Sequence, residues 1–500
     1  MPLPIWPQLD AKPKQGTHWD LQSAQAANKT SEMGKKKERG NVTDSDGYTS
    51  DSPPDSASHW HPPWEFRVGR ATMESHTSTT ANILEIVFLY VTHASIPAII
   101  LLATPKRSVL RYLSIPISVY ITYRAVHVAS LLGPGFVWCE LARLFLTVVF
   151  QALNLLLINP KDGHDLNSEV ANGSLGRVYY SAQLFTHPRG VNTPWKIKNA
   201  PPHPAYYRRK GTVSPPRGRF LIRQISIAVW QYLVLDLFCT LALQQALEQK
   251  KHETLPPTVQ WDLTFEQWIE RIISNLMAGF VVSRILIDFH HRVFSVITVC
   301  LGLESTSDCP PLFGSATSVH SLRTFWAKFW HQLLRRPLTS VSAFITQSLF
   351  GHASKSSFQH YMIVCLVFFF SGGLHVVLDL VQGIPVEESG AMLFFALAPL
   401  GLMIEDCIRL LWNSLSPLRS SDQLKETKTA KPRWQKVLGL LWAMAWLGTT
   451  STWYFYPQML RPQNQNLVPF SVVSQLGFSV VTALVGIGAA VLFLVFEVEI

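Results

Sequence analysis

Charge is scarce in this sequence. Only 15% of its 500 residues are charged, against about 25% in soluble domains. Motifs that would mark common soluble chemistries are also missing. There is no G-x-x-x-x-G-K-[ST] or G-x-G-x-x-G to cradle phosphates, and no G-x-S-x-G elbow to present a nucleophilic serine. Nucleotide hydrolysis and serine hydrolase chemistry therefore find no support. The six cysteines, Cys139, Cys239, Cys300, Cys309, Cys365 and Cys407, form no C-x-x-C pair, and most lie in or beside apolar stretches. They read as small core residues rather than as a disulfide or zinc framework. Adjacent His290 and His291 point to different helix faces and make a poor metal pair, so no metal site is expected. No signal-peptide h-region stands ahead of the first apolar span, so that span is expected to direct insertion.

What is present is apolar and clustered: 48% of the residues are hydrophobic. Several windows reach the roughly 18 to 20 residues needed to cross a bilayer as a helix. Spans are expected at about 82–103, 112–132, 141–158, 225–243, 272–303, 361–382, 391–412, 437–456 and 472–496. The predicted fold is an all-α, multi-pass membrane helix bundle of about nine spans. The region 272–303 is too long for one straight span and carries Arg284, Asp288, His290, His291 and Arg292, which predicts a bent or broken helix with its polar run turned toward protein. Residues 1–80 are polar and rich in Ser, Asp, Lys, Pro and Gly, and are predicted to be a disordered tail ahead of a membrane domain at 81–500. Asn28 and Asn41 head glycosylation sequons if that tail is lumenal, which the alternation of spans predicts.

The net charge of +10 would suggest nucleic acid in a soluble protein. Here the cations lie between spans. Eleven Lys and Arg fall from Lys161 to Arg223 against three acids, which places the loop at about 159–224 in the cytosol. A second cytosolic loop is expected at about 304–359. Its stretch from Ser321 to Arg336 is basic, aromatic and amphipathic, and reads as a helix at the membrane interface carrying Phe325, Trp326, Phe329, Trp330 and His331.

The strongest candidate for chemistry is His375, placed by Ser371-Gly-Gly-Leu-His375 in the middle of an apolar span. An ionisable residue there is costly and is a functional candidate by default. A neutral imidazole can take the proton of an alcohol that attacks an activated acyl group; a helix-helix hydrogen bond is the plainer alternative. Asp379, one turn on, could orient the ring or simply bond another span. His331 could supply a second polar group to a thioester carbonyl.

Four stretches carry a resemblance: Arg189-Gly-Val-Asn-Thr-Pro-Trp195 with Lys198-Asn-Ala-Pro201; Trp230-Gln-Tyr-Leu-Val-Leu-Asp236; Pro310-Pro-Leu-Phe-Gly314 through Ser321 to His331; and Ser371 to His375. On these the chain resembles the wax synthase-like branch of the membrane-bound O-acyltransferases, especially fungal members that acetylate terpenoid and meroterpenoid secondary metabolites. It departs from the usual pattern at Val191-Asn192, at Thr324 and at Ala327-Lys328-Phe329. The resemblance implies a reaction tunnel through the bilayer and an acyl-CoA donor, acetyl-CoA first, entering from the cytosol. It also implies a hydrophobic alcohol acceptor, no bound cofactor and residence in the endoplasmic reticulum. The family's buried histidine would be His375 and its second polar position His331. Trp330, Arg323, Trp326, Arg189, Trp195 and Asn199 would bind acyl-CoA or substrate.

Besides a scaffold without chemistry, against which the two histidines argue, two other readings remain open at this point. One is wax-ester synthesis from fatty acyl-CoA and a long-chain alcohol. The other is a transporter whose polar path is lined by Arg124, Arg284, Asp288 and His375, although no internal repeat of the kind common in transporters is apparent.

Overall fold

A computed structural model describes residues 76–166, 174–207, 214–251, 262–351, 356–415, 432–459 and 467–498. The expected disordered tail, with its sequons, lies outside the described residues apart from 76–80. Those begin the first helix, α1 (His76–Ala103).

The described chain is helical. After α1 come α2 (Val109–Leu131), α3 (Phe136–Ala152), α4 (Ser174–Thr186), α5 (Arg217–Lys251), α6 (Phe265–Asn275) and α7 (Ser283–Cys300). A short α8 (Leu322–Thr324) precedes α9 (Arg335–Phe350), α10 (Ser357–Val381), α11 (Ala391–Leu415), α12 (Arg433–Thr450), α13 (Thr452–Met459), α14 (Val472–Leu476) and α15 (Phe478–Phe496). Starts are set by side chains that satisfy the first free N–H groups. Ser108 accepts from the Leu110 amide for α2, Ser356 from Gln359 for α10, and Thr264 forms a reciprocal capping box with Gln267 for α6.

Among the described residues, seven helical stretches are long and apolar enough to cross a membrane by length and composition: Thr79–Ala103, Phe136–Ile158, Arg217–Gln244, Phe265–Cys300, Ser357–Val381, Ala391–Trp412 and Phe478–Phe496. The other two expected spans are helical as well, as α2 and as α12 with α13. Many large apolar side chains on these helices point outward, among them Leu84, Phe88, Val91, Ile487, Phe493 and Leu494. Lipid is the solvent for such a surface.

Three helices contain π turns, at Leu153–Ile158, Leu276–Val282 and Phe325–Phe329. The second joins α6 to α7, so the expected bend in the long 272–303 region is a wide turn rather than a break. Its polar run faces protein: Asp288 is buried and accepts from Gln231 Nε2 at 2.8 Å and Arg292 Nε at 2.7 Å.

Two segments expected to be cytosolic loops are built into the bundle. The first, after Asn159, contains α4, whose Leu184 and Phe185 pack with Ala98, Leu101 and Leu155. The second, 304–334, folds inward. Phe325, Trp326 and Trp330 share a core with Phe280, Phe394 and Phe455, so the aromatic side of the Ser321–Arg336 stretch meets protein instead of the membrane interface. That stretch is also not one helix. The π turn ends where Trp330 becomes extended (ψ 150), so Trp330 and His331 lie beyond it. Dense aromatic packing outweighs helical continuity here.

Candidate active site

Helix α10 is the centre of the bundle's packing and touches α2, α3, α9 and α11. Gly372 makes one of these contacts possible. A Cβ there would sit 3.1 Å from Met392 Sδ and 3.2 Å from Phe395 Cβ, so only a glycine lets α11 approach this closely without displacement. His375, nearly one turn on, lies half-buried with Phe395 4.4 Å away, ring to ring, and Tyr454 edge-on at 5.8 Å. Its Nδ1–H donates to the Ser371 carbonyl at 2.7 Å. A carbonyl can only accept, so the neutral ring keeps its lone pair on Nε2. Of the two roles open to Asp379, the bonds seen are of the second kind, to other segments. The Asp379 carboxylate accepts from Ser389 Oγ at 2.6 Å and Gln458 Nε2 at 3.0 Å.

His331 is carried by the inward segment. Gly314 N–H donates to the Phe329 carbonyl at 2.9 Å, and a Cβ at Gly314 would meet the Lys328 carbonyl oxygen at 2.1 Å, so glycine is required at this crossing. Gln332 Nε2 bonds the Trp326 and Trp330 carbonyls, each at 2.8 Å. The imidazole stands edge-on to Phe313 at 5.7 Å and beside Trp330 at 5.5 Å. Burial pushes His331 down to about 3, and Arg143, His375 and Arg189 add to the effect, so the ring is neutral. Its Nδ1 is buried with no partner. An orphaned N–H is the rarer defect, which favours the tautomer whose proton is on Nε2, ready to be donated. Trp330 shares a core with Leu374, the neighbour of His375, and the two histidines are within electrostatic reach of each other.

The remaining sequence candidates are placed differently. Arg189 is buried, and its two Nη groups donate to the Pro311 and Pro310 carbonyls at 2.7 and 2.9 Å. Asn199 Nδ2 donates to the Ala327 carbonyl at 2.8 Å. Arg323 pairs with Asp406, and its amide reaches Glu405 Oε2 at 3.2 Å. These three thus hold the inward segment in place. Trp195 lies between the Lys161 ammonium at 5.4 Å and the Arg336 guanidinium at 5.6 Å. Trp326 packs edge-on to Phe368 at 5.3 Å.

Sequence reasoning passed over α3. Arg143 Nε donates to Glu140 Oε2 at 2.6 Å, and both side chains are less than one-fifth exposed. The only signal in the sequence is an acid and a base three residues apart at the rim of an apolar span.

The profile of the Membrane bound O-acyl transferase family matches residues 309–397, the stretch that holds both histidines. Over longer stretches the chain is 34% identical to the acetyltransferase spyB of Aspergillus fumigatus (75% of this chain, 64% of that protein). It is 32% identical to the acetyltransferase pyr8 of the same species (83% and 97%) and 34% identical to the acetyltransferase atnC of an Arthrinium species (80% and 94%). The chain thus spans slightly less than two thirds of spyB and nearly all of the other two. No solved structure matches it. The chain belongs to the membrane-bound O-acyltransferase family. It is an integral membrane acyltransferase that moves an acyl group from a donor to an acceptor.

Proposed function

We propose that this enzyme moves an acetyl group from acetyl-CoA to a hydroxyl of a terpenoid or meroterpenoid intermediate, at the endoplasmic reticulum membrane. The observation that carries the reading is the bonding of His375: Nδ1–H is committed to Ser371, which leaves Nε2 as a base. The names of the relatives favour acetyl as the group transferred.

In this reading His375 Nε2 takes the proton of the acceptor hydroxyl, whose oxygen attacks the thioester carbonyl carbon. His331 Nε2–H donates to the carbonyl oxygen as it gains charge. Collapse expels the CoA thiolate, which takes the proton back from His375. Aromatic packing around both rings keeps water from the thioester. Arg189, Asn199 and Arg323 hold the segment bearing Trp326, Trp330 and His331, while Trp195 and the exposed Lys196 and Lys198 meet the phosphate-bearing arm of CoA. Two of the charges that a transporter would expose are paired here, Arg124 with Glu85 at 2.5 Å and Asp288 with Arg292 at 2.7 Å, and Arg284 lies against the Phe313 and Phe329 rings.

The test uses microsomes with wild-type or His375→Ala protein at matched levels, labelled acetyl-CoA and a panel of terpenoid alcohols. Ester should form with the wild type and fall at least about a hundredfold in the variant, as for loss of a general base. Equal ester from both would remove His375 from the chemistry. Ester only with fatty acyl-CoA and a long-chain alcohol would replace the acetyl reading with wax-ester synthesis.

A further inference from the structure

The antiparallel contact between α3 and α10 can be read residue by residue. Cys139 Sγ meets the Leu378 carbonyl at 3.6 Å. Eleven residues further along α3, Phe150 packs edge-on to Phe370 at 5.9 Å. Between these two contacts Leu146 shares a core with Leu374. In an α-helix, residues three and four apart share a face, so Cys139, Arg143, Leu146 and Phe150 form one stripe. Arg143 therefore lies level with His375 on the adjoining helix.

The guanidinium of this arginine is only partly engaged. Its Nε is held by Glu140 Oε2 at 2.6 Å, but its two Nη groups find no acceptor among the described residues. Arg111 and Arg189 differ in this respect, while Arg284 lies against the Phe313 and Phe329 rings. Arg111 donates through Nη1 to Lys161 O at 2.7 Å and through Nη2 to Thr104 O at 2.7 Å, and Arg189 has both Nη groups on carbonyls. A guanidinium inside a membrane bundle with four N–H donors unclaimed is costly. It stands at the height of the base, within electrostatic reach of His331.

We propose that Arg143 is a catalytic residue: its free Nη groups, aimed by Glu140, bind the thioester carbonyl oxygen and carry its negative charge when the hydroxyl attacks. This rests on the acyl-transfer reading above. His331 is a neutral donor, so it can orient the carbonyl oxygen but cannot neutralise it. Arg143 supplies the positive charge, and Glu140 keeps the pair neutral overall in the resting enzyme. As the alkoxide forms its bond to carbon, the carbonyl electron pair moves onto oxygen and is held by Arg143. The pair returns when the carbon–sulfur bond breaks and the thiolate leaves with the proton from His375.

The test compares steady-state kinetics of wild type, Arg143→Met, Arg143→Lys and the charge-balanced Glu140→Gln/Arg143→Met double variant in proteoliposomes, with acetyl-CoA and the best alcohol of the panel. Binding of a non-transferable thioether analogue of acetyl-CoA is measured in parallel. Removing one oxyanion donor typically costs about 100- to 1000-fold in kcat. Both variants lacking Arg143 should show that loss, with analogue binding within about threefold of wild type, and added guanidinium should restore part of the rate to Arg143→Met. Arg143→Lys should keep the charge, lose the fork and fall between. If the double variant recovers the wild-type rate, the harm in Arg143→Met came from an unpaired Glu140 and the proposal is wrong. A wild-type rate in Arg143→Met overturns it directly. If the wild type itself makes no ester with any alcohol, the acetyl-transfer reading falls, and this role with it.

Discussion

Arg189 offers a clear test of scaffold against ligand contact, because its geometry predicts one pattern and a phosphate-binding role another. Its guanidinium is buried, burial lowers its pKa to about 10, and it remains protonated at neutral pH. Arg189→Met deletes the bonds to Pro310 and Pro311 at 2.9 and 2.7 Å. Hydrogen bonds to charged groups contribute about 1.5–3 kcal/mol each. The loss is not double that figure. The Pro310 carbonyl keeps a second donor in His291 Nε2 at 3.2 Å, and methionine no longer has a charge to desolvate. A net cost of about 2–4 kcal/mol follows. At roughly 2 °C per kcal/mol for a large chain, the melting temperature in detergent should drop by about 4–8 °C. Because Pro310 to Gly314 brace the turn that carries His331, kcat should fall while the KM for acetyl-CoA changes little. Arg189→Lys should rescue only partly, since an ammonium cannot fork to two carbonyls. The reasoning is refuted if Arg189→Met melts like wild type and instead raises the KM for acetyl-CoA.

Two further predictions follow from the same segment. Gly314→Ala forces a methyl against the Lys328 carbonyl oxygen at 2.1 Å. Overpacking of this kind costs about 1–3 kcal/mol, and the displaced His331 should show in a lower kcat measured at matched expression. The second concerns His187 and Glu304, bonded at 2.5 Å beyond the membrane spans. Burial opposes charge on both, but their mutual bond prevails: it raises the histidine above its ordinary 6.5 and lowers the carboxyl from 4.5 to about 2. The contribution from His187 is complete below its unfolded pKa and is lost as pH rises through the raised folded value. That from Glu304 is complete above 4.5 and is lost as pH falls through about 2. Melting temperature should therefore decline between about pH 6.5 and the alkaline side. His187→Gln should flatten that decline, and an unchanged slope in the variant would contradict the pairing.

Much of the fold is legible in the sequence because hydrocarbon imposes a simple requirement: about twenty apolar residues with every backbone group bonded internally. That requirement reveals α1, α3, α5, α10, α11 and α15 without any knowledge of their neighbours. His375 stands out for the same reason, as an ionisable group where lipid or packed helices are expected. The stretch from Ser321 to Arg336 is misread because its pattern is ambiguous. Aromatics on one helical face and cations on the other suit an interfacial helix and an inward-turned segment equally well. Only the contacts of Phe325, Trp326 and Trp330 with Phe280 and Phe394 decide between them. The π turn at Phe325–Phe329 then shifts the register, so no periodicity argument could have placed His331. Arg189 and Asn199 look like ligand contacts because each stands in a distinctive loop motif, and their carbonyl partners lie more than a hundred residues away in the chain. Arg143 escapes notice because a charge at the edge of a span is common and its level relative to α10 is a three-dimensional fact.

The tether from His375 to Ser371 has a consequence for how such enzymes diversify. The imidazole is aimed by a carbonyl of its own helix, one turn back. Its orientation therefore travels with α10 as a self-contained unit. The surrounding helices can exchange side chains, widen or narrow the space beside the ring, and shift by a fraction of a turn while the imidazole keeps its aim. An enzyme built this way can acquire new acceptors by changes in the wall alone, and variants selected for a new alcohol should collect their substitutions on α11, α13 and the Phe313–Trp330 segment while Ser371 to His375 stays as it is.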